Sequence, residues 1–174
     1  MSDSAARFGR RGVLLLGLAT LACDQATKHV ARAQLLGAPP RSYLGGTLRV
    51  EYVENAGAFL GLGSGLPSWA RSVVFIAGTA GLLLWTAWVG RKASWSAAQW
   101  TGLGLLWAGG ISNLVDRARY GAVPDFLNVG VGHLRTGIFN VADMAITAGV
   151  LIVLVSGWRG RAPEPSDARA QNQP

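Results

Sequence analysis

Three carboxylates stand against long apolar sequence. Asp143 opens the last apolar stretch, within Phe139-Asn140-Val141-Ala142-Asp143; Asp116 and Asp125 follow the third, within Asn113-Leu114-Val115-Asp116-Arg117 and Val123-Pro124-Asp125-Phe126. An ionised carboxylate near hydrocarbon costs on the order of 3 kcal/mol, so an acid retained there points to function. Neither Asp125 nor Asp143 has a cation beside it in sequence. Burial of both raises the pKa of at least one. A pair sharing one proton then supplies a base for water and an acid for a leaving amine, which is the chemistry of peptide-bond hydrolysis. A helix cap or a buried structural acid accounts for either aspartate alone. Two together on one side favour the pair. Asp116 is expected to be held ionised by the adjacent Arg117, which suits an orienting role.

Other polar groups accompany these acids. Asp24 and Lys28, in Asp24-Gln25-Ala26-Thr27-Lys28, are four apart on one helix face and can pair, either snorkelling at an interface or bracing a site. In Glu54-Asn55-Ala56-Gly57-Ala58-Phe59, Asn55 offers a donor and an acceptor to a peptide backbone and Gly57 permits close approach, although an ordinary turn fits as well. Gly109-Gly110 let a neighbouring helix come close. Beyond them Asn113 shares a face with Arg117, and Ser112 with Asp116.

Four segments long and apolar enough to span a bilayer must position these groups: residues 11–30, 69–89, 96–115 and 138–158. The composition agrees. The 174 residues are 50% hydrophobic and only 14% charged, with 24 Gly and 7 Trp, whereas a soluble domain is about 25% charged. The net charge of +7 does not read as nucleic-acid binding, because the basic residues flank apolar runs instead of forming a patch. One cysteine, Cys23, excludes an internal disulfide and a cysteine-based zinc site, and two histidines without a His-Glu-x-x-His motif argue against a metalloprotease. No metal or organic cofactor is expected.

The basic residues orient the spans. Arg7, Arg10 and Arg11 precede the first, Arg91 and Lys92 lie in the short second connection, and Arg159, Arg161 and Arg169 follow the fourth. By the positive-inside rule both termini are cytoplasmic, and the connections 31–68 and 116–137 face outward with the acidic motifs. Arg10-Arg11 before Leu21-Ala22-Cys23 imitates a signal peptide, but Thr20 suits that motif poorly and three more spans follow. Residues 47–53 alternate as a half-buried strand, with a partner expected within 129–136 around Gly130 and Gly132. The two form a small sheet on the membrane surface. Residues 61–67 are a turn-rich link. One domain is expected over 1–161, and the polar tail 162–174 reads as disordered.

In order along the chain, DQATK, ENAGAF, GGISNLVDR, VPDF and FNVAD resemble lipoprotein signal peptidase, the type II signal peptidase of bacteria, across residues 12–158. Each block alone is weak, and five in order on a four-span chain are specific. The resemblance implies an aspartyl endopeptidase of the bacterial inner membrane. Its fold has four transmembrane helices, an extracytoplasmic cradle of strands and a surface helix. It implies removal of the signal peptide from prolipoproteins whose cysteine bears a diacylglyceryl group. Asp125 and Asp143 carry over as the catalytic pair. Asp24, Lys28, Asn55, Gly57, Asn113, Asp116, Arg117 and Asn140 carry over as supporting residues. The partners expected are the lipid-modified substrate and membrane lipid, with no nucleic acid, and the enzyme is expected to be a monomer. Pro124 departs from the family, which has an aliphatic residue before that aspartate; proline fixes φ and removes a donor. A serine protease using Ser64 with His133, or a serine with Lys28, is the competing enzyme class. A four-helix transporter with a proton relay is the non-enzyme alternative, although the acids cluster at one face and no repeat is seen.

Overall fold

The computed structural model describes residues 3–57, 67–92 and 94–159. Among them are helices α1 (Asp3–Leu35), α2 (Ser68–Lys92), α3 (Ala97–Tyr120) and α4 (Val141–Arg159). Strands β1 (Arg41–Tyr43), β2 (Leu48–Asn55), β3 (Val123–Val131) and β4 (Leu134–Arg135) form one antiparallel sheet in the order β1-β2-β3-β4. A surface helix was also expected. The connection between α1 and α2 contains a single 3-10 turn, Leu44–Gly46, among its described residues. Ala58, Phe59, Ser64 and most of the turn-rich link lie outside the described residues, as does the tail.

The burial pattern is inverted relative to a soluble domain. Leu15, Trp69, Leu84 and Trp158 are exposed, whereas Asp24, Lys28, Ser112, Asn113, Asp116, Asp125 and Asn140 are buried. Apolar side chains facing outward and polar groups facing inward suit helices surrounded by hydrocarbon. Two helices, over Trp69–Arg91 and Val141–Trp158, are individually long and apolar enough to cross a membrane. α1 and α3 carry ionic residues in their outer turns, including Asp24, Lys28, Arg32, Asp116 and Arg117.

α3 begins at a capping box: the Ser96 hydroxyl accepts from the Gln99 amide N–H, and the Gln99 side chain accepts from the Ser96 N–H. It ends at Gly121, whose φ of 72° places it in the left-handed region. α3 and α4 pack backbone to backbone at small residues. A Cβ on Gly102 would lie 2.7 Å from the Gly149 carbonyl oxygen, and one on Gly109 would collide with the Ala142 carbonyl and stand 2.8 Å from Ile146 Cγ1. Gly109→Val should therefore push α4 outward at Ala142 and destabilise the fold by about 1–3 kcal/mol or more. A lower midpoint in thermal unfolding, with reduced activity, checks this; an unchanged midpoint would show that the helices separate freely.

The sheet rests on the C-terminal end of α1, where Phe126 packs on Ala31 and Leu35. β2 falls where alternation predicted it, and its partner β3 includes the start of the expected segment 129–136, with Val129 opposite Leu48, but begins six residues earlier, at Val123. Pro124 and Asp125 interrupt the alternation and concealed its beginning; 134–135 instead form the short return β4. β2 carries a bulge between Val50 and Val53, which pair with Leu127 and Asp125. Arg135 binds the far end together, donating to the carbonyls of Gly46 (2.9 Å) and Asn128 (3.2 Å) and from Nε to the Asn128 side-chain oxygen. Phe139 is clamped to β3 by the Leu127 N–H donating to its carbonyl (2.9 Å) and its own N–H donating to the Leu127 carbonyl (2.8 Å). That clamp brings the start of α4 to β3.

Candidate active site

α4 starts three residues later than the apolar pattern predicts, because Asn140 caps it. The Asn140 side-chain oxygen accepts from the Asp143 N–H (3.0 Å), and Asp143 Oδ2 accepts from the Asn140 N–H (3.2 Å). This is a reciprocal cap with Asn and Asp in place of the usual Ser and Glu. It holds the Asp143 carboxylate at the positive end of the helix dipole. The second oxygen, Oδ1, accepts from Asn113 Nδ2 at 2.9 Å.

Asp125 arrives from the strand side. Its Oδ2 accepts from Asn55 Nδ2 (2.8 Å) and its Oδ1 from Asn140 Nδ2 (2.6 Å). Asn55 is a diagonal cross-strand neighbour in the β2–β3 register. Its own oxygen is engaged by the Gly57 N–H at 3.0 Å, which fixes which end of the amide faces Asp125. Asn55, expected to offer a donor and an acceptor to a peptide backbone, thus gives its donor to the carboxylate and its acceptor to the Gly57 backbone, and it lines the cavity. Asn140 touches both acids, one through its side-chain nitrogen and the other through its own backbone and side-chain oxygen. Burial pushes the Asp125 carboxyl up to about 6; the Asn55 and Asn140 hydrogen bonds oppose the shift, and the Asp143 charge adds to it.

Behind the pair lies a buried ionic cluster. Lys28 Nζ is 2.6 Å from Asp24 Oδ2 and 2.7 Å from Asp116 Oδ2, and donates to Asn113 Oδ1 at 2.8 Å. All three ammonium donors are thus used. Asp24 is fully buried. It also accepts from the Ser112 hydroxyl (2.7 Å) and from the Ala142 N–H (2.7 Å), a free donor of the α4 first turn. The Asp24–Lys28 pair therefore faces the helix interior and does not snorkel. The expected Asp116–Arg117 pairing is not what the side chains do: Asp116 pairs with Lys28, while Arg117 donates to the Gly57 carbonyl (3.2 Å) and the Asn113 carbonyl (3.4 Å). Successive residues on a helix point about 100° apart, so sequence adjacency misleads here. Arg117 Nε is buried without a partner among the described residues.

Asn55, Asn113, Arg117, Asp125 and Asp143 line one cavity of about 60 Å³ between the sheet and the helices. It is large enough for water. Asp24, Lys28, Asp116 and Asn140 stand behind its wall, and Gly57 is tied to it through Asn55 and Arg117. Two residues that were not among the expected site residues belong to the cluster. Ser112 bonds Asp24, and Gln25 Nε2 donates to Ser112 Oγ (2.8 Å) and Asp116 Oδ1 (3.2 Å). The signal for Ser112 was its position four before Asp116, on the same helix face. The serine alternatives gain nothing: Lys28 is saturated by Asp24, Asp116 and Asn113, His133 is exposed at the far turn of the sheet, and Ser64 is outside the described residues.

Polar helix ends and a small antiparallel sheet thus close around Asp125 and Asp143 in a mostly helical fold. Two solved structures of bacterial membrane enzymes, both obtained by the in meso method, share the fold. One, at 2.3 Å resolution, superposes with a TM-score of 0.74 over 90% of this chain and 94% of that chain at 22% identity. The other, at 1.9 Å, gives 0.73 over 83% and 91% at 24% identity. Residues 16–159 match the family model for signal peptidase (SPase) II. The chain belongs to the signal peptidase II family. It is similar to the lipoprotein signal peptidase of Methylorubrum extorquens, 36% identical over 169 residues covering 94% of each chain. It is also similar to that of Syntrophus aciditrophicus, 35% identical over 138 residues covering 78% of this chain and 84% of the relative.

Proposed function

We propose that this protein is an intramembrane aspartyl endopeptidase that removes the signal peptide from diacylglyceryl-modified prolipoproteins, with Asp125 and Asp143 as its catalytic pair. The observation that carries the reading is that Asn140 binds both carboxylates at the edge of one water-sized cavity. One aspartate takes a proton from water, and the water oxygen attacks the carbonyl preceding the lipid-modified cysteine. The other gives its proton to the departing nitrogen as the C–N bond breaks. The pair titrates as a unit, so neither role is assigned to one member. Asn55, Asn113 and Asn140 hold the carboxylates, and Asp24, Lys28 and Asp116 hold Asn113 and the start of α4. Arg117, which lines the cavity and is held by the Gly57 carbonyl, is the group best suited to bind a substrate carbonyl.

On this reading all four helices span the bacterial inner membrane, with both termini cytoplasmic and the sheet outside. Residues 1–161 form one domain, working as a monomer. Between Gly12 and Cys23 α1 carries no ionic residue, and Asp24, Lys28 and Asp116 beyond that stretch are turned into the interior cluster, which supports spanning despite the lower hydropathy of α1 and α3. The test is incubation of the purified protein with a diacylglyceryl-modified prolipoprotein. Cleavage immediately before the lipidated cysteine is expected; a well-folded protein that leaves the substrate intact would overturn the assignment.

The pH dependence has a definite sign. The folded pKa of Asp125, about 6, lies above its ordinary value of 3.8. Its protonated form therefore stabilises the fold fully below 3.8, and that contribution is lost as the pH rises through about 6. A pair that works with one proton loses it over the same interval, so kcat/KM should fall on the alkaline side. Asn55→Ala removes a hydrogen bond that favours the ionised form and should move that limb to higher pH. A limb unmoved in this variant would separate the titration from Asp125.

A further inference from the structure

A second and larger hollow lies apart from the acids. It has a volume of about 360 Å³ and sits between the outer end of α1 and the sheet, walled by Val30, Ala31, Leu35, Val50, Phe126 and Leu127, with Arg41 and Tyr43 of β1 also lining it. Its wall is mostly apolar, and its size suits a small-molecule or lipid chain. Arg41 is exposed, and its side chain has no ion pair or hydrogen bond among the described residues. Below the hollow, the outward face of α1 presents Leu15, Leu18, Ala22, Ala26 and Val30, all exposed. The spacing of these residues makes one continuous stripe. Ala26 and Val30 belong to both the stripe and the hollow.

We infer that this hollow binds one anionic phospholipid of the surrounding bilayer, its acyl chain along the α1 stripe and its phosphate on Arg41. The inference rests on the four-span reading, which puts the stripe in hydrocarbon and β1 at headgroup level. Charge decides between the two lipids at hand. A diacylglyceryl group on a substrate cysteine carries no charge at its glycerol, so it gives Arg41 no partner. The phosphate of an anionic phospholipid provides one, not compensated by a cation of its own headgroup as the phosphate of phosphatidylcholine is, and guanidinium–phosphate pairing is strong and directional. The lipid would press on Phe126 and Leu127, the residues that follow Asp125 on β3, and so brace the strand that carries this acid.

Native mass spectrometry of the protein in an uncharged detergent, titrated with phosphatidylglycerol or phosphatidylcholine, tests the site. One retained phosphatidylglycerol is expected, preferred over phosphatidylcholine by about tenfold. Arg41→Gln should erase the preference while leaving the fold intact, because the side chain is exposed. Val30→Trp, which fills the hollow from the exposed side, should reduce retention of both lipids. Equal retention of the two lipids by the wild type, or an unchanged preference in Arg41→Gln, would overturn the inference. So would displacement of the lipid by millimolar inorganic phosphate, which would mean that the cation binds free phosphate alone. Cleavage is not part of the readout, so failure of the peptidase reading would be seen separately.

Discussion

Exchange of either aspartate for asparagine, Asp125→Asn or Asp143→Asn, should lower the cleavage rate by about a thousandfold or more while leaving a folded protein. The loss follows from chemistry: an amide neither takes a proton from water nor gives one to a leaving nitrogen. The survival of the fold follows from geometry. Each carboxylate accepts one N–H at each oxygen, Asp125 from Asn55 and Asn140, Asp143 from Asn113 and the Asn140 backbone. An asparagine keeps one of those acceptors and turns its amino group toward the other donor. The penalty is about one hydrogen bond, or roughly 1 kcal/mol. At Asp125 the lost charge, held in a buried place, offsets part of it. Cleavage of lipid-modified substrate and thermal unfolding should be measured together on both variants. Near-normal turnover by either would remove that residue from the pair and make Asp116 the next acid to test.

Lys28→Met should affect both stability and activity. The ammonium is buried and serves three acceptors, so its removal leaves Asp24 and Asp116 enclosed without a counter-charge. Breaking a buried pair in this way costs about 3–5 kcal/mol, a large share of the 5–15 kcal/mol typical of a folded domain. Activity falls for a second reason. Lys28 holds the Asn113 oxygen, and that contact makes the Asn113 nitrogen face Asp143. A double variant separates the two effects. Lys28→Met with Asp116→Leu removes one of the stranded charges and should recover much of the unfolding midpoint, but not the rate, since the Asn113 oxygen then keeps only the longer 3.4 Å contact from Asn140. Recovery of both together would show that the lysine only stabilises.

Much of the candidate site was readable because its pieces are local. Asp24 and Lys28 sit at helical spacing, and the five blocks occur in family order. The structure joins Asn55, Asn113, Asp125, Asn140 and Asp143 by hydrogen bonds. What could not be read is partner choice across the chain. The partner of Asp116 is 88 residues away at Lys28, while the cation next to it turns toward Gly57. Only the end of strand β3 was anticipated, and its beginning was missed for the same reason that it matters: a proline and a charged residue replace the apolar alternation where the strand enters the site. The later start of α4 has a similar origin, since hydropathy continues through Phe139 but the backbone is turned by the Asn140 cap. The close contacts at Gly102, Gly109 and Gly149 were foreshadowed only by the paired glycines of α3.

The contact between Asp24 and the Ala142 N–H has one further consequence. A helix in a bilayer is only softly held in depth, at fractions of a kcal/mol per Å of mismatch. Here α1 is tied to the first turn of α4 by that hydrogen bond, and Gly109 of α3 abuts the same alanine, which has no exposed surface. Three helices are thus indexed against one another at a single point level with the acids. On the proposed four-span reading, they should lean as a unit in thicker or thinner membranes instead of sliding past each other. The distance between the two carboxylates would then be independent of lipid chain length, even as the whole molecule changes its tilt.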